Sequence, residues 1–95
     1  MTAALAFEWD DGKAAANITK HGVAFEYAVR VFLDPDMVAF DASRSAEGET
    51  RYKAVGKIEA RLFVLVYTDR GEARRVISAR RANTKEQKAY GPLQT

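Results

Sequence analysis

His21 is the single histidine of the chain, and it stands in the run Lys13-x-x-x-Asn17-x-x-Lys20-His21-Gly22. Spacings of four put Lys13, Asn17 and His21 on one side of a helix, with Lys20 beside them. Ala14 and Ile18 are then expected to form the opposite, buried stripe. In the last turn of such a helix the backbone dipole favours the charged imidazolium. That suits an acid donating to a leaving oxygen, or a cation on phosphate. The simpler duty is capping the helix C-terminus.

Cations supply the second constellation. In Glu49–Lys57 the odd positions Glu49, Arg51, Lys53, Val55 and Lys57 share one strand face. In Arg74–Arg81 strict alternation puts Arg74, Val76, Ser78 and Arg80 on one face and Arg75, Ile77, Ala79 and Arg81 on the other. Arginine forks bind phosphate bidentately and stay charged at any relevant pH, so such a sheet is expected either to clamp phosphate or to pair with acidic side chains. Aromatic residues interleave with it. Trp9 and Phe63 read as core, whereas Tyr90 is the better candidate for stacking on a base or for catalysis.

Other chemistries are poorly served. There is no cysteine, so disulfides, thiolate metal sites and cysteine nucleophiles drop out, and one histidine gives no metal-ligand spacing. No GxGxxG or P-loop is present to cradle a nucleotide cofactor, and no GxSxG elbow to carry a serine nucleophile. What remains is attack of a ribose 2′-hydroxyl on its own phosphate, without metal or cofactor. That reaction needs a base, a cation for the phosphorane and an acid. It works if His21, Arg51 and Arg80 converge on one phosphate-sized spot.

The elements that must position these residues are legible. Phe7-Glu8-Trp9 reads as a short strand, and Asp10 or Asp11 caps a helix over Lys13–His21 that Gly22 ends. Phe25, Ala28, Val29 and Phe32 recur at helical spacing, and Asp34-Pro35-Asp36 stops them. Strands follow at Met37–Asp41, Glu49–Ile58, Arg61–Thr68 and Ala73–Arg81, with a polar loop at Ala42–Gly48 and turns near Glu59-Ala60 and Asp69-Arg70-Gly71. Asn83 or Thr84 caps a last short helix, with Glu86 or Gln87 closing a capping box and Pro92 ending it. Helices first and strands in a run argue for an α+β domain.

Ninety-five residues, 47% apolar and 29% charged, make one ordinary globular domain. Net charge is +2, yet residues 1–50 hold four basic side chains against nine acidic, and residues 51–95 eleven against four. That split is a prior for nucleic-acid contact by the second half, or for a solvated, salt-bridged surface. The longest apolar run, Leu62–Tyr67, is too short to span a bilayer, and the opening Met1–Ala6 lacks the basic flank of a secretory leader. With no cysteine, a cytoplasmic setting is expected.

Several short blocks resemble one family. Phe7-x-Trp9-Asp10-x-x-Lys13, Asn17-x-x-Lys20-His21-Gly22-Val23-x-Phe25, Ala28-x-x-Val31-Phe32-x-Asp34, Glu49-x-Arg51, Gly56 and Arg75-Val76-Ile77-Ser78-Ala79-Arg80-x-Ala82, followed by Glu86 and Tyr90, are similar in order and spacing to BrnT-type toxins. The resemblance implies a RelE-like fold, with two N-terminal helices on a mainly antiparallel sheet and a short C-terminal helix. It implies a type II toxin–antitoxin ribonuclease that cleaves RNA and stops translation. A BrnA-like ribbon-helix-helix antitoxin would neutralise it and carry the complex to operator DNA. The resemblance also implies Lys20, His21, Arg51, Arg80 and Tyr90 as site residues: His21 or Tyr90 for acid–base work and the arginines for phosphate. Glu49 is a possible base that its cationic neighbours keep ionised. A non-catalytic RNA- or DNA-binding module, or a docking surface for an acidic partner, fits the same charge pattern.

Overall fold

The computed structural model describes residues 6–43 and 48–91. The middle of the 42–48 loop and the proposed stop at Pro92 lie outside them. Strand β1 (Ala6–Glu8) leads into helix α1 (Asp11–His21), whose first turn is capped by the Asp10 carboxylate accepting from the Lys13 amide at 2.9 Å. Gly22 ends α1 with φ 71° and donates its N–H to the Ile18 carbonyl at 2.8 Å, a left-handed cap that glycine adopts without steric cost.

Helix α2 (Phe25–Ala28) passes directly into a 3-10 turn over Val29–Leu33. The expected helix through Phe32 therefore tightens halfway along. Val29 and Val31 are β-branched and weak helix formers, and the tightened turn sets Val31 directly on Gly56. A Cβ at Gly56 would lie 2.8 Å from both the Cβ and the carbonyl oxygen of Val31. Glycine there is what lets the turn approach the sheet.

Strands β2 (Val38–Asp41), β3 (Tyr52–Ile58), β4 (Arg61–Arg70) and β5 (Ala73–Arg81) form the antiparallel run expected from sequence. Glu59 and Ala60 both take positive φ, 51° and 71°, as a two-residue hairpin turn requires. Sheet order is β1-β5-β4-β3-β2. Because β1 lies parallel to β5, the five-stranded sheet is mixed, though mostly antiparallel. Helix α3 (Thr84–Tyr90) carries the expected capping box between Asn83 and Glu86.

Two apolar layers result. Phe25, Ala28 and Val31 pack on Ala54, Ile58, Phe63, Leu65, Tyr67, Val76 and Ala79 from one sheet face. Val55, Val64, Ala82 and Tyr90 form a smaller cluster involving α3. Val76 and Ala79 belong to the same layer although three residues apart, which strict alternation forbids. A register shift between Val66 and Tyr67 explains it: Val66 faces Ser78, Tyr67 faces Val76, and Ile77 is the extra residue of a β-bulge. The bulge reverses the faces expected for Ser78–Arg81.

No helix among the described residues is long and apolar enough to cross a membrane.

Candidate active site

At the end of the sheet where α1 stops and α2 begins, His21, Gly22, Val23, Ala24 and Tyr27 face Arg61, Phe63 and Arg81 across a cleft of about 460 Å³. Helix α1 delivers His21 in its last turn, beside the exposed Lys20. Arg61 enters just after the Glu59-Ala60 turn, paired with Ile58, and Arg81 pairs with Phe63. Phe63 and Tyr27 meet edge to face at 5.5 Å, and the Arg81 guanidinium lies 5.9 Å from the Phe63 ring. The Tyr27 hydroxyl donates to Glu59 at 2.6 Å, and that bond to a carboxylate raises the phenol's pKa. Tyr27 is thus a donor and a wall, not a base.

The arginines of the sheet divide by partner. Arg70 pairs with Glu49 at 3.4 Å, Arg74 with Asp69 at 3.0 Å, Arg75 with Glu8 at 3.2 Å and Arg80 with Glu86 at 2.7 Å. Among the described residues neither Arg61 nor Arg81 pairs with a carboxylate. Two guanidinium groups and an imidazole thus line one concavity, and the guanidinium charges are not neutralised by a carboxylate among the described residues. The concavity's volume suits a single nucleotide.

The six residues singled out from sequence fall in three places. His21 lines this cleft, and Lys20 precedes it in the last turn of α1 without lining it. Glu49 and Arg51, with Gly48 and Arg70, line a shallow depression at the opposite strand ends. Strand β3 alone separates the two ends by about 20 Å at ~3.3 Å per residue. Arg80 and Tyr90 belong to the other sheet face. Arg80 sits opposite Val64, and both of its terminal nitrogens bind the Glu86 carboxylate. Tyr90 is 1% exposed, its hydroxyl donating to the Asp34 carboxylate, so the ring packs and has no open face for a base.

The expected convergence of His21 with Arg51 and Arg80 is therefore corrected: the bulge turns Arg80 away and brings Arg81 to His21. Alternation around Arg80-Arg81 left both faces open, and the bulge that chose between them has no signature in Val76-Ile77-Ser78. Arg61 had a usable signal, since a two-residue turn at Glu59-Ala60 sets it across from Ile58 at the strand end.

Helix α1 also departs from the expected amphipathic reading. Ile18 is 50% exposed, whereas Asn17 is 6% exposed. The buried side thus carries an amide, with Ala14 packed against the core.

A family model, the ribonuclease toxin BrnT of type II toxin–antitoxin systems, matches residues 9–86. The chain belongs to this family. Among curated proteins none matches the chain. The BrnT match runs from Trp9, just after β1, to Glu86 and takes in His21, Arg61 and Arg81 together with the Asn83–Glu86 capping box. Membership in a family of ribonuclease toxins implies an RNA substrate and an antitoxin partner.

Proposed function

We propose that this BrnT chain is a metal-independent endoribonuclease toxin that stops translation, and that it cuts RNA in the His21–Arg61–Arg81 cleft. The observation that carries the reading is that Arg61 and Arg81, with no carboxylate of their own among the described residues, flank the chain's one imidazole. The ribose 2′-oxygen attacks the adjacent phosphorus, and the P–O bond to the 5′-oxygen of the next nucleotide breaks. Arg61 and Arg81 hold the non-bridging oxygens as negative charge builds. The 2′-hydroxyl proton passes to the His21 imidazole as the new bond forms, and the imidazole delivers a proton to the leaving 5′-oxygen. The products are a 2′,3′-cyclic phosphate and a 5′-hydroxyl.

Lys20, exposed in the last turn of α1, is assigned to contact with the RNA backbone beside the cleft. Glu49 and Arg51 are assigned to contact with RNA further along the sheet, and Arg80 and Tyr90 to bracing the fold. Two helices of the first half on a mostly antiparallel sheet, with a short C-terminal helix, support a RelE-like arrangement. The resemblance carries the remaining assignments: a cytoplasmic protein held inactive by a BrnA-like ribbon-helix-helix antitoxin, with operator DNA met through that partner.

Purified protein is incubated with end-labelled RNA in EDTA. Cleavage to cyclic-phosphate ends is expected, reduced at least about 100-fold in His21→Ala and in Arg81→Ala. RNA bound with a steep salt dependence yet left uncut would make the chain a binding module. Cleavage restricted to buffers with added magnesium would overturn the proposed chemistry.

A further inference from the structure

Asn17 is a buried polar residue that the chemistry above does not use. Its side-chain nitrogen donates to the Val23 carbonyl at 2.9 Å and to the Ala79 carbonyl at 2.8 Å, and its oxygen accepts from the Ala79 amide at 3.1 Å. One carboxamide thus satisfies both donors and an acceptor position inside the protein.

The reason it is needed lies in the sheet. Strand β1 pairs with β5 through Ala73–Arg75 and stops there. Beyond it, the outward N–H and C=O of Ala79 lie under α1, where a partner is obligatory. The side chain of Asn17 takes the place of the missing strand.

Its bonds also fall on both walls of the cleft. Val23 is two residues past His21, and Ala79 is two residues before Arg81 on the same strand. We propose that Asn17 is a positioning residue of the ribonuclease site: through Val23 and Ala79 it fixes the distance between the His21 turn and the Arg81 strand. The proposal rests on the cleft being where RNA is cut. Asn17 touches no reacting atom. It sets the geometry in which the imidazole and the guanidinium address one phosphate, and such geometry is worth about 10²-fold in rate for an ångström of misplacement.

The test uses single-turnover cleavage of labelled RNA by the full chain, at a temperature where circular dichroism shows each variant folded. Asn17→Ala and Asn17→Asp are expected to cut at least about tenfold more slowly. Affinity for a 2′-deoxy, uncleavable analogue should stay within about threefold, since the cations remain in place. Thr68→Val serves as the structural control: Thr68 is 2% exposed and bonds the Thr50 carbonyl. Its loss should lower the melting temperature and leave the rate at wild type.

A second measurement needs no variant. On titrating wild type with the deoxy analogue, the Asn17 side-chain amide resonances should shift with those of His21 and saturate together. Folded Asn17 variants that cut at the wild-type rate, or amide resonances that stay fixed while those of His21 move, would overturn the positioning role. Failure of the cleft reading shows differently, as cleavage that survives His21→Ala.

Discussion

Glu86 offers a perturbation whose size follows from the structure. Its side chain is 4% exposed and accepts two bonds from Arg80 at 2.7 Å, one from the Asn83 amide at 2.8 Å, and a contact from the Lys53 ammonium at 3.0 Å. The Arg80 bonds are the largest influence and burial opposes them; the Asn83 amide and Lys53 add to them, and the carboxyl is held at about 2 against an ordinary 4.5. A folded-state value below the unfolded one stabilises the protein above the unfolded value, and the gain fades as pH falls from about 4.5 through 2. Each tenfold drop in proton affinity is worth roughly 1.4 kcal/mol, so the contribution is about 3 kcal/mol. Arg80 and Lys53 are each about one-third exposed, so about 2–3 kcal/mol is the expected measurable share. A domain this size has about 5–14 kcal/mol in all, so the loss would be plain. Urea unfolding of wild type and Glu86→Gln should differ by that amount at pH 7 and converge near pH 2 with unchanged m-values. Asp34 and Asp41 titrate in both proteins and cancel. Two stability curves that run parallel from pH 7 to pH 2.5 would refute the reasoning.

Four further outcomes follow from the same geometry. Arg80→Ala should lower stability by about 2–4 kcal/mol in urea, yet cut RNA within a few-fold of wild type under conditions where it is folded, in contrast to Arg81→Ala. Gly56→Ala must push Val31 off the sheet, a change worth about 1–3 kcal/mol and readable as a fall in melting temperature. Tyr90→Phe removes the hydroxyl bond to Asp34 at a cost of about 1 kcal/mol and should leave the cleavage rate alone. Arg61→Ala should lessen the salt dependence of RNA affinity by about one ion's worth, whereas Arg75→Ala, whose partner is Glu8, should barely change it.

Most elements were legible because their signals are local. Asp10 and Gly22 bracket α1, Glu59-Ala60 marks the β3–β4 turn, and Asn83 with Glu86 marks the last helix, all within a few residues of the feature they predict. What escaped the sequence depends on contacts far along the chain. The parallel placement of β1 joins residues 6–8 to residues 73–75, and nothing in Phe7-Glu8-Trp9 names that partner. Asn17 read as an exposed polar residue because its spacing groups it with Lys13 and His21, opposite Ala14 and Ile18, and its burial is intelligible once the outward backbone groups of Ala79 are known to lack a strand neighbour. The site residues suffered most. His21 could be picked by type, but Arg80 and Arg81 are chemically identical, and which one faces the helices is decided by how β5 bulges against Val66 and Tyr67 of the paired strand.

That choice links the acidic and basic halves of the chain to function. Eleven cations in the second half read as a candidate nucleic-acid surface, yet Arg70, Arg74, Arg75 and Arg80 are each neutralised by a carboxylate. Glu49 and Glu8, from the acidic half, account for two of these pairs. Net charge by segment therefore overstates the field that an approaching RNA would meet. The useful quantity is the cation left over after internal pairing, and among the sheet arginines it is concentrated where β4 begins and β5 ends, beside His21. Had the bulge been absent, Arg80 would face the helices while Arg81 pointed toward α3, and the Glu86 carboxylate would meet a different guanidinium. One extra residue at Ile77 thus determines both which arginine secures the last helix and which is available to a phosphate.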